Sequence, residues 1–328
     1  MKLRKLLLPN SLRGILLPLF FPVFLLSDAH IFVYHRFGDN RYPSTNTTVK
    51  ELKKEFNYFK NNGYKVIPLK KLVNALKNRK KIDDKLVVLT IDDNFKSFYK
   101  NGLPIFKEFG YPFTLFVYVK ATQKRYPDYT TWDQLKEIAK YGEIGFHSYS
   151  HPHMTFKSDE FLKDDFKRGL SLMKKHLDIE PKYFAYPYGE FDKRVKTIAK
   201  EFGFEAILNQ NIGAVSSGSD ILDLDRNALV GKSNLKRDLA YKELKIEWIE
   251  PKEFPQNGIL KKIMAKLPDT KYAGYYLSGY GWHRIKVKDG KFLANVNKRL
   301  LFERNRIVIN VKNQIKTKLL IKDRYGNR

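Results

Sequence analysis

The chain has 328 residues, 43% hydrophobic and 14% aromatic, which is enough to bury a large core and a second small one and excludes a disordered chain. It has no cysteine, which excludes disulfides and thiolate metal ligands and leaves the compartment open. The formal charge of +27 favours anionic surroundings, but the Lys and Arg are spread along the whole length and no nucleic-acid motif occurs, so no nucleic-acid partner is expected.

Residues 1–29 read as an export signal. Lys2, Arg4, Lys5 and Arg13 form a basic start, Ile15 to Leu26 is an uncharged apolar run, and Ser27-Asp28-Ala29 offers small residues for cleavage. The run is short for a membrane span, and Pro18 and Pro22 interrupt it, so cleavage after Ala29 is expected, with an uncleaved anchor as the alternative. Either way the protein is expected to be exported, to a periplasm or beyond the cell. Next, His30 to Phe37 forms an apolar strand with His35 at its end. Then strand and helix alternate: helix over Val49 to Asn61, strand over Tyr64 to Ile67, helix over Leu69 to Leu76, strand over Leu86 to Ile91.

The strand at Leu86 ends in two adjacent carboxylates, Asp92 and Asp93. One Asp would suffice to cap a following helix, whereas two at a strand tip repel each other and call for a cation. After a helix over Phe98 to Phe109, a strand over Phe113 to Val119 and a helix over Trp132 to Tyr141, a second strand ends at His147, with His151 four residues on. A helical turn there would set both imidazoles on one face, where they could share a metal with one of the carboxylates; a merely His-rich loop, with His153, is the alternative. A long helix from Glu160 to His176 leads to a third strand end, Tyr186-Pro187-Tyr188-Gly189. Helix over Lys193 to Phe202 and strand over Ala206 to Leu208 follow, and about seven such units predict an α/β fold, a distorted (β/α)7-type barrel with these strand ends on one rim.

Thr90 to Asp93, His147-Ser148-x-x-His151 and Pro187-Tyr188, in that order, resemble the motifs of the polysaccharide deacetylases, carbohydrate esterase family four. The resemblance covers about residues 30–230, and the deacetylase barrel is expected over residues 30–235. It implies a metal-dependent deacetylase that removes N-acetyl groups from an N-acetylglucosamine polysaccharide. Asp93, His147 and His151 would hold a divalent metal, Zn2+ or another transition metal. Asp92 would be the base, Tyr188 would offer its backbone N–H to the oxyanion, and Pro187, Tyr188 and Asp225 would line the substrate groove. The family carries its proton-donating His late in the chain. The early His35 resembles instead the circularly shifted poly-N-acetylglucosamine branch, with His283 as competitor. Peptidoglycan or O-acetyl polysaccharide deacetylation, or non-catalytic glycan binding on the same fold, are the alternatives.

Two positions depart from the family pattern. Its Arg two residues before Pro-Tyr is Ala185 here, and its Asp-x-x-Asp-Trp is reduced to Asp225-Arg226, so Arg226 is expected to replace the missing charge beside Asp92 and keep it ionised. Residues 240–328 read differently, as short alternating runs with turn signals such as Asp289-Gly290, and predict a small C-terminal antiparallel β domain. From Lys298 to Arg328 it holds ten Lys and Arg against two acids, which suits either an anionic envelope surface or a merely solvated face.

Overall fold

The computed structural model describes residues 28–231 and 233–322. Its first body is a parallel sheet built from β1 (His30–Tyr34), β2 (Lys65–Val66), β3 (Leu86–Ile91), β4 (Thr114–Val117), β5 (Glu143–Phe146), β6 (Tyr183–Ala185), β7 (Ala206–Leu208) and β8 (Asn227–Ala228). The order is β8-β1-β3-β4-β5-β6-β7, with β2 beside the start of β3. Leu224 bridges to Leu208 after β7 while β8 pairs with β1, so the stretch from 224 to 228 curls the sheet into a distorted barrel. Between the strands run α1 (Val49–Asn61), α2 (Leu69–Lys77), α3 (Leu103–Phe109), α4 (Trp132–Ala139), α5 (Asp159–Leu177) and α6 (Lys193–Glu201).

Local chemistry explains the boundaries. Thr48 and Glu51 close a reciprocal capping box at the start of α1, and Thr131 and Gln134 do the same for α4. The stretch expected as one helix from Phe98 to Phe109 begins as a π-helical turn, Phe98–Gly102, that runs directly into α3, with Pro104 in its first turn. Successive strand residues point to opposite faces, and packing sorts them accordingly. Phe32, Leu89, Leu115, Phe184 and Ile207 join the large cluster beneath the helices, while Ile31, Val88, Phe116, Ala185 and Leu208 form a second cluster on the concave face, with Leu69, Leu72 and Val73 of α2 packed into it. Continuing the concave series past each strand end gives His35, Asp92 and His147. Gly145 belongs to the same series: a Cβ there would stand 2.5 Å from the Phe116 ring, so only glycine lets that ring fill the barrel.

The segment before residue 28 lies outside the described residues, and the expected cleavage point after Ala29 falls inside the fold. Ala29 exchanges two backbone hydrogen bonds of 2.9 Å with Val215, and the Asp28 carboxylate accepts the Glu243 N–H at 2.7 Å. The barrel therefore starts by Asp28. Among the described residues no helix is long and apolar enough to cross a membrane.

Helix α1 also carries a partly buried acid. The Tyr34 hydroxyl donates to Glu55 at 2.8 Å, and burial pushes the Glu55 carboxyl up to about 8. A raised folded value means that its stabilising contribution is complete below the unfolded value near 4.3 and is lost as pH rises towards 8. Glu55→Gln keeps an acceptor for Tyr34 and has no proton to lose. We expect it to flatten that fall and to add about 1–2 kcal/mol near pH 8 and little at pH 4, read from urea midpoints at the two pH values.

The second body contains a short helix, α7 (Leu235–Ala240), and strands β9 (Lys242–Glu243), β10 (Glu247–Glu250), β11 (Ile259–Lys266), β12 (Tyr272–Leu277), β13 (Gly281–Lys286), β14 (Lys291–Arg299), β15 (Arg304–Val311) and β16 (Gln314–Ile321). They form sheets of order β9-β16-β15-β12-β13 and β10-β11-β14 around a separate core that includes Leu260, Ile263, Tyr275, Phe292, Ile307 and Ile309. The pairing is antiparallel as expected except at β9, which joins β16 in parallel.

Candidate active site

The strand ends of β3 and β5 meet at three atoms. His147 Nε2 and His151 Nε2 are 3.2 Å apart, and Asp93 Oδ1 lies 3.5 Å from the first and 3.1 Å from the second. Three atoms each about 2.0–2.2 Å from one ion would stand roughly 3–3.6 Å from one another, so the set fits a single divalent metal. The donor chemistry agrees. His147 Nδ1 donates to the Ala185 carbonyl at 2.7 Å, which leaves Nε2 as the bare nitrogen. Burial holds the His147 ring neutral by lowering its pKa to about 4. Burial pushes Asp93 up, but His151 and then His147 more than offset this and leave it well below the usual carboxylate range. Asp93, His147 and His151 are the group that could hold a metal among the described residues.

The route by which the two imidazoles meet differs from the expected helical turn. Residues 147–153 form a loop, with Ser148 at φ 66° and His151 at φ 52°. Asp165, on the buried face of α5, holds this loop by accepting the N–H groups of Tyr149 and Ser150, each at 2.8 Å. Asp93 is likewise left-handed, at φ 71°, and this turn lets two adjacent carboxylates serve one site although neighbouring strand residues face opposite ways.

Asp92 is completely buried and receives a fork: Arg226 donates to both of its oxygens at 2.8 Å. Burial pushes Asp92 up, yet Arg226 and then His147 bring it below its ordinary value, so it is ionised. Arg226, itself 0% exposed, also donates to the Asn209 carbonyl and Thr90 Oγ1, and its guanidinium stands 5.4 Å from the centre of the Phe116 ring. It thus plugs the barrel beneath the carboxylates, beside Asp92 as the sequence led one to expect. Gln210 Nε2 also donates to Asp92, at 3.2 Å. His35 lies close enough to draw both Asp92 and Asp93 down, and its Nδ1 is buried with no hydrogen-bond partner. His283 is not part of this arrangement; it is exposed on β13 and stacked on Tyr275.

Pro187 and Tyr188 sit in a single 3₁₀ turn, with Tyr188 left-handed at φ 59°. The Tyr188 ring leans on His151 at 4.5 Å and stacks on His153 at 4.1 Å, and His153 bonds Glu190 at 2.8 Å. Arg304 of β15 donates to the Tyr188 carbonyl at 2.9 Å and to Glu190 at 3.1 Å, so the second body holds this turn. Sequence reasoning missed Arg304, Gln210 and Asp165. Only Asp165 left a signal, as an acid on the apolar stripe of its helix between Leu162 and Phe166.

Asp225 corrects an expectation: it lines no open groove. It is 3% exposed and accepts Asn209 Nδ2 at 2.9 Å and Lys316 Nζ at 2.8 Å, an ion pair between barrel and β domain. Burial pushes its carboxyl up to about 6 even with Lys316 beside it, and Asp223 adds to the rise. Lys316→Met removes the counter-charge and leaves Asp225 buried. We expect a loss of about 2–3 kcal/mol in urea denaturation, most of it recovered in Lys316→Met/Asp225→Asn.

The rim of this parallel barrel thus gathers two imidazoles, a carboxylate within reach of both and a second carboxylate clamped by arginine, groups of the kind that activate water. Residues 79–207 match the family model described as polysaccharide deacetylase. YxkH of Bacillus subtilis is 23% identical over 197 residues, 60% of this chain and 69% of that protein. The poly-β-1,6-N-acetyl-D-glucosamine N-deacetylase of Escherichia coli K12 is 22% identical over 241 residues, 61% of this chain but 35% of that enzyme. The solved structure of IcaB from Ammonifex degensii superposes with a TM-score of 0.59 at 23% identity, over 65% of this chain and 96% of that one, and has the same fold.

Proposed function

We propose that this chain is a metal-dependent deacetylase that removes N-acetyl groups from a poly-N-acetylglucosamine-like polysaccharide outside the cytoplasm. The observation that carries the reading is the pairing of a three-atom ligand set at Asp93, His147 and His151 with an ionised, arginine-clamped Asp92 next to it. The name of the Escherichia coli relative supports the polymer, and the basic, apolar N-terminal sequence supports export.

Two imidazoles and one carboxylate suit Zn2+, which when bound supplies a Lewis acid for the amide carbonyl. Asp92 accepts a proton from the water that attacks the acetamide carbon, and Arg226 keeps it ionised and aimed. The backbone N–H of Tyr188 would donate to the oxygen on which charge develops. His35 delivers a proton to the departing nitrogen, the C–N bond breaks, and acetate and a free amine on the sugar leave.

The test is acetate release from β-1,6-linked N-acetylglucosamine oligomers, abolished by a chelator and restored by Zn2+. Release from peptidoglycan or from O-acetyl esters, with none from these oligomers, would overturn the polymer assignment. Release that a chelator leaves intact would overturn the metal.

A further inference from the structure

The five-stranded sheet of the second body carries a row of aromatic and guanidinium groups that leads away from the turn at Tyr188. In β12, Ala273, Tyr275 and Leu277 face the core, which leaves Tyr272, Gly274 and Tyr276 on the other face. Directly paired residues share a face, so Tyr276 lies beside Trp282 of β13 and beside Val308 of β15, and Gly274 beside Arg284. Along β15 the same face continues from Val308, which is buried, through the partly buried Arg306 to Arg304, whose head group holds Tyr188 and Glu190. Four residues of β15 and two strand spacings make this path about 20 Å long.

Its surface is unusual for a sheet. Trp282 is 57% exposed and Tyr272 is 49% exposed, the Tyr276 and Trp282 rings are 5.6 Å apart, and the Arg284 guanidinium stands 4.5 Å from the Tyr272 ring centre. Arg306 lies near enough to Arg304, Tyr276 and Glu190 to feel their charge, and its Nε is buried without a hydrogen-bond partner. Open rings offer apolar faces that match the C–H faces of pyranose rings, and guanidinium groups donate to sugar hydroxyl and acetamide oxygens. A chain of such rings suits a ligand that is long, repetitive and uncharged, and continuity with the Tyr188 turn identifies it as the polymer that feeds the site.

We propose that the outer face of the β12–β13 hairpin, with Tyr272, Tyr276, Trp282 and Arg284, extends the catalytic groove as a binding track for N-acetylhexosamine polymer. This rests on the deacetylase reading above, and it gives the β domain a role in choosing long chains over short ones rather than in holding an anionic envelope.

Two measurements test it. In turnover, the unmodified protein should show KM falling at least 10-fold between a trimer and a decamer of β-1,6-linked N-acetylglucosamine. In Trp282→Ala/Tyr272→Ala that ratio should collapse to about 2 or less with kcat retained; both substituted side chains are largely outside the core. In binding, the Asp92→Asn protein should lose about 10-fold in affinity for the decamer when Trp282→Ala is added, and nothing when Leu293→Ser, an exposed change on the other sheet, is added instead. An unchanged length dependence in the double variant, or an unchanged decamer affinity, overturns the track. Absence of acetate release from every oligomer by the unmodified protein overturns the deacetylase reading instead, and the binding arm still decides the track.

Discussion

Asp92→Asn is expected to reduce acetate release by at least 10³-fold while metal content, measured by atomic absorption, stays at that of the unmodified protein. The two halves of this result come from separate atoms. Asn is nearly the same shape and still accepts from Arg226, but it carries no charge to receive a proton from water, and loss of a positioned base costs 10²–10⁴ in rate. The ligand atoms sit on Asp93, His147 and His151, none of which the change touches. Substitution at Asp93 should do the reverse, with metal lost and Asp92 intact. A protein in which Asp92→Asn loses the metal, or keeps more than a tenth of the rate, would show that Asp92 is a ligand or a bystander. Because Arg226 then sits buried with no anionic partner, the assay belongs well below the melting temperature of the variant, which is expected to fall.

Much of this site was legible in the sequence because each strand end announces itself by an abrupt change from apolar to polar. The run Leu86 to Ile91 is the strand found, and Val49 to Asn61 is the helix found, since one is a continuous apolar stretch and the other is bounded by Thr48 and Asn62. The His pair was read correctly as a pair and incorrectly as a helical turn. Four-residue spacing is compatible with a helix, and nothing in Ser148-Tyr149-Ser150 reveals that Ser148 and His151 adopt positive φ under the hold of Asp165, which is 14 residues beyond His151. Asp225 was misplaced for a similar reason. Its neighbour Lys316 lies 91 positions away in a separate β body, and a contact of that range leaves no local pattern. The expected processing point falls at Ala29, whose backbone pairs with Val215, because a small residue suits a processing site and a sheet edge equally well.

Arg226 carries the second large expectation. In the family pattern the positive charge beside the base comes from the strand that ends in Pro-Tyr, but that position is Ala185, whose side chain is buried in the concave cluster and whose carbonyl fixes the tautomer of His147. Here the guanidinium arrives from β8's leading edge instead, and it makes four donations within the barrel: two to Asp92, one to Thr90 and one to the Asn209 carbonyl. Arg226→Met removes all four, leaves Asp92 buried without a counter-charge, and is expected to cost about 3–5 kcal/mol in urea denaturation. The base then loses the charge that holds its pKa down, so at pH 7 a larger share is protonated, and the loss in kcat is expected to be about 10²-fold. The sign is testable: activity of the variant should rise with pH across a range in which the unmodified enzyme is level, because only the variant has an Asp92 still titrating there. Arg226→Lys restores charge without the fork, so it should recover the flat pH profile and most of the stability but only part of kcat. If Arg226→Met gave a pH profile parallel to that of the unmodified enzyme, Arg226 would be a packing element of the barrel and Asp92 would owe its ionisation to the histidines alone.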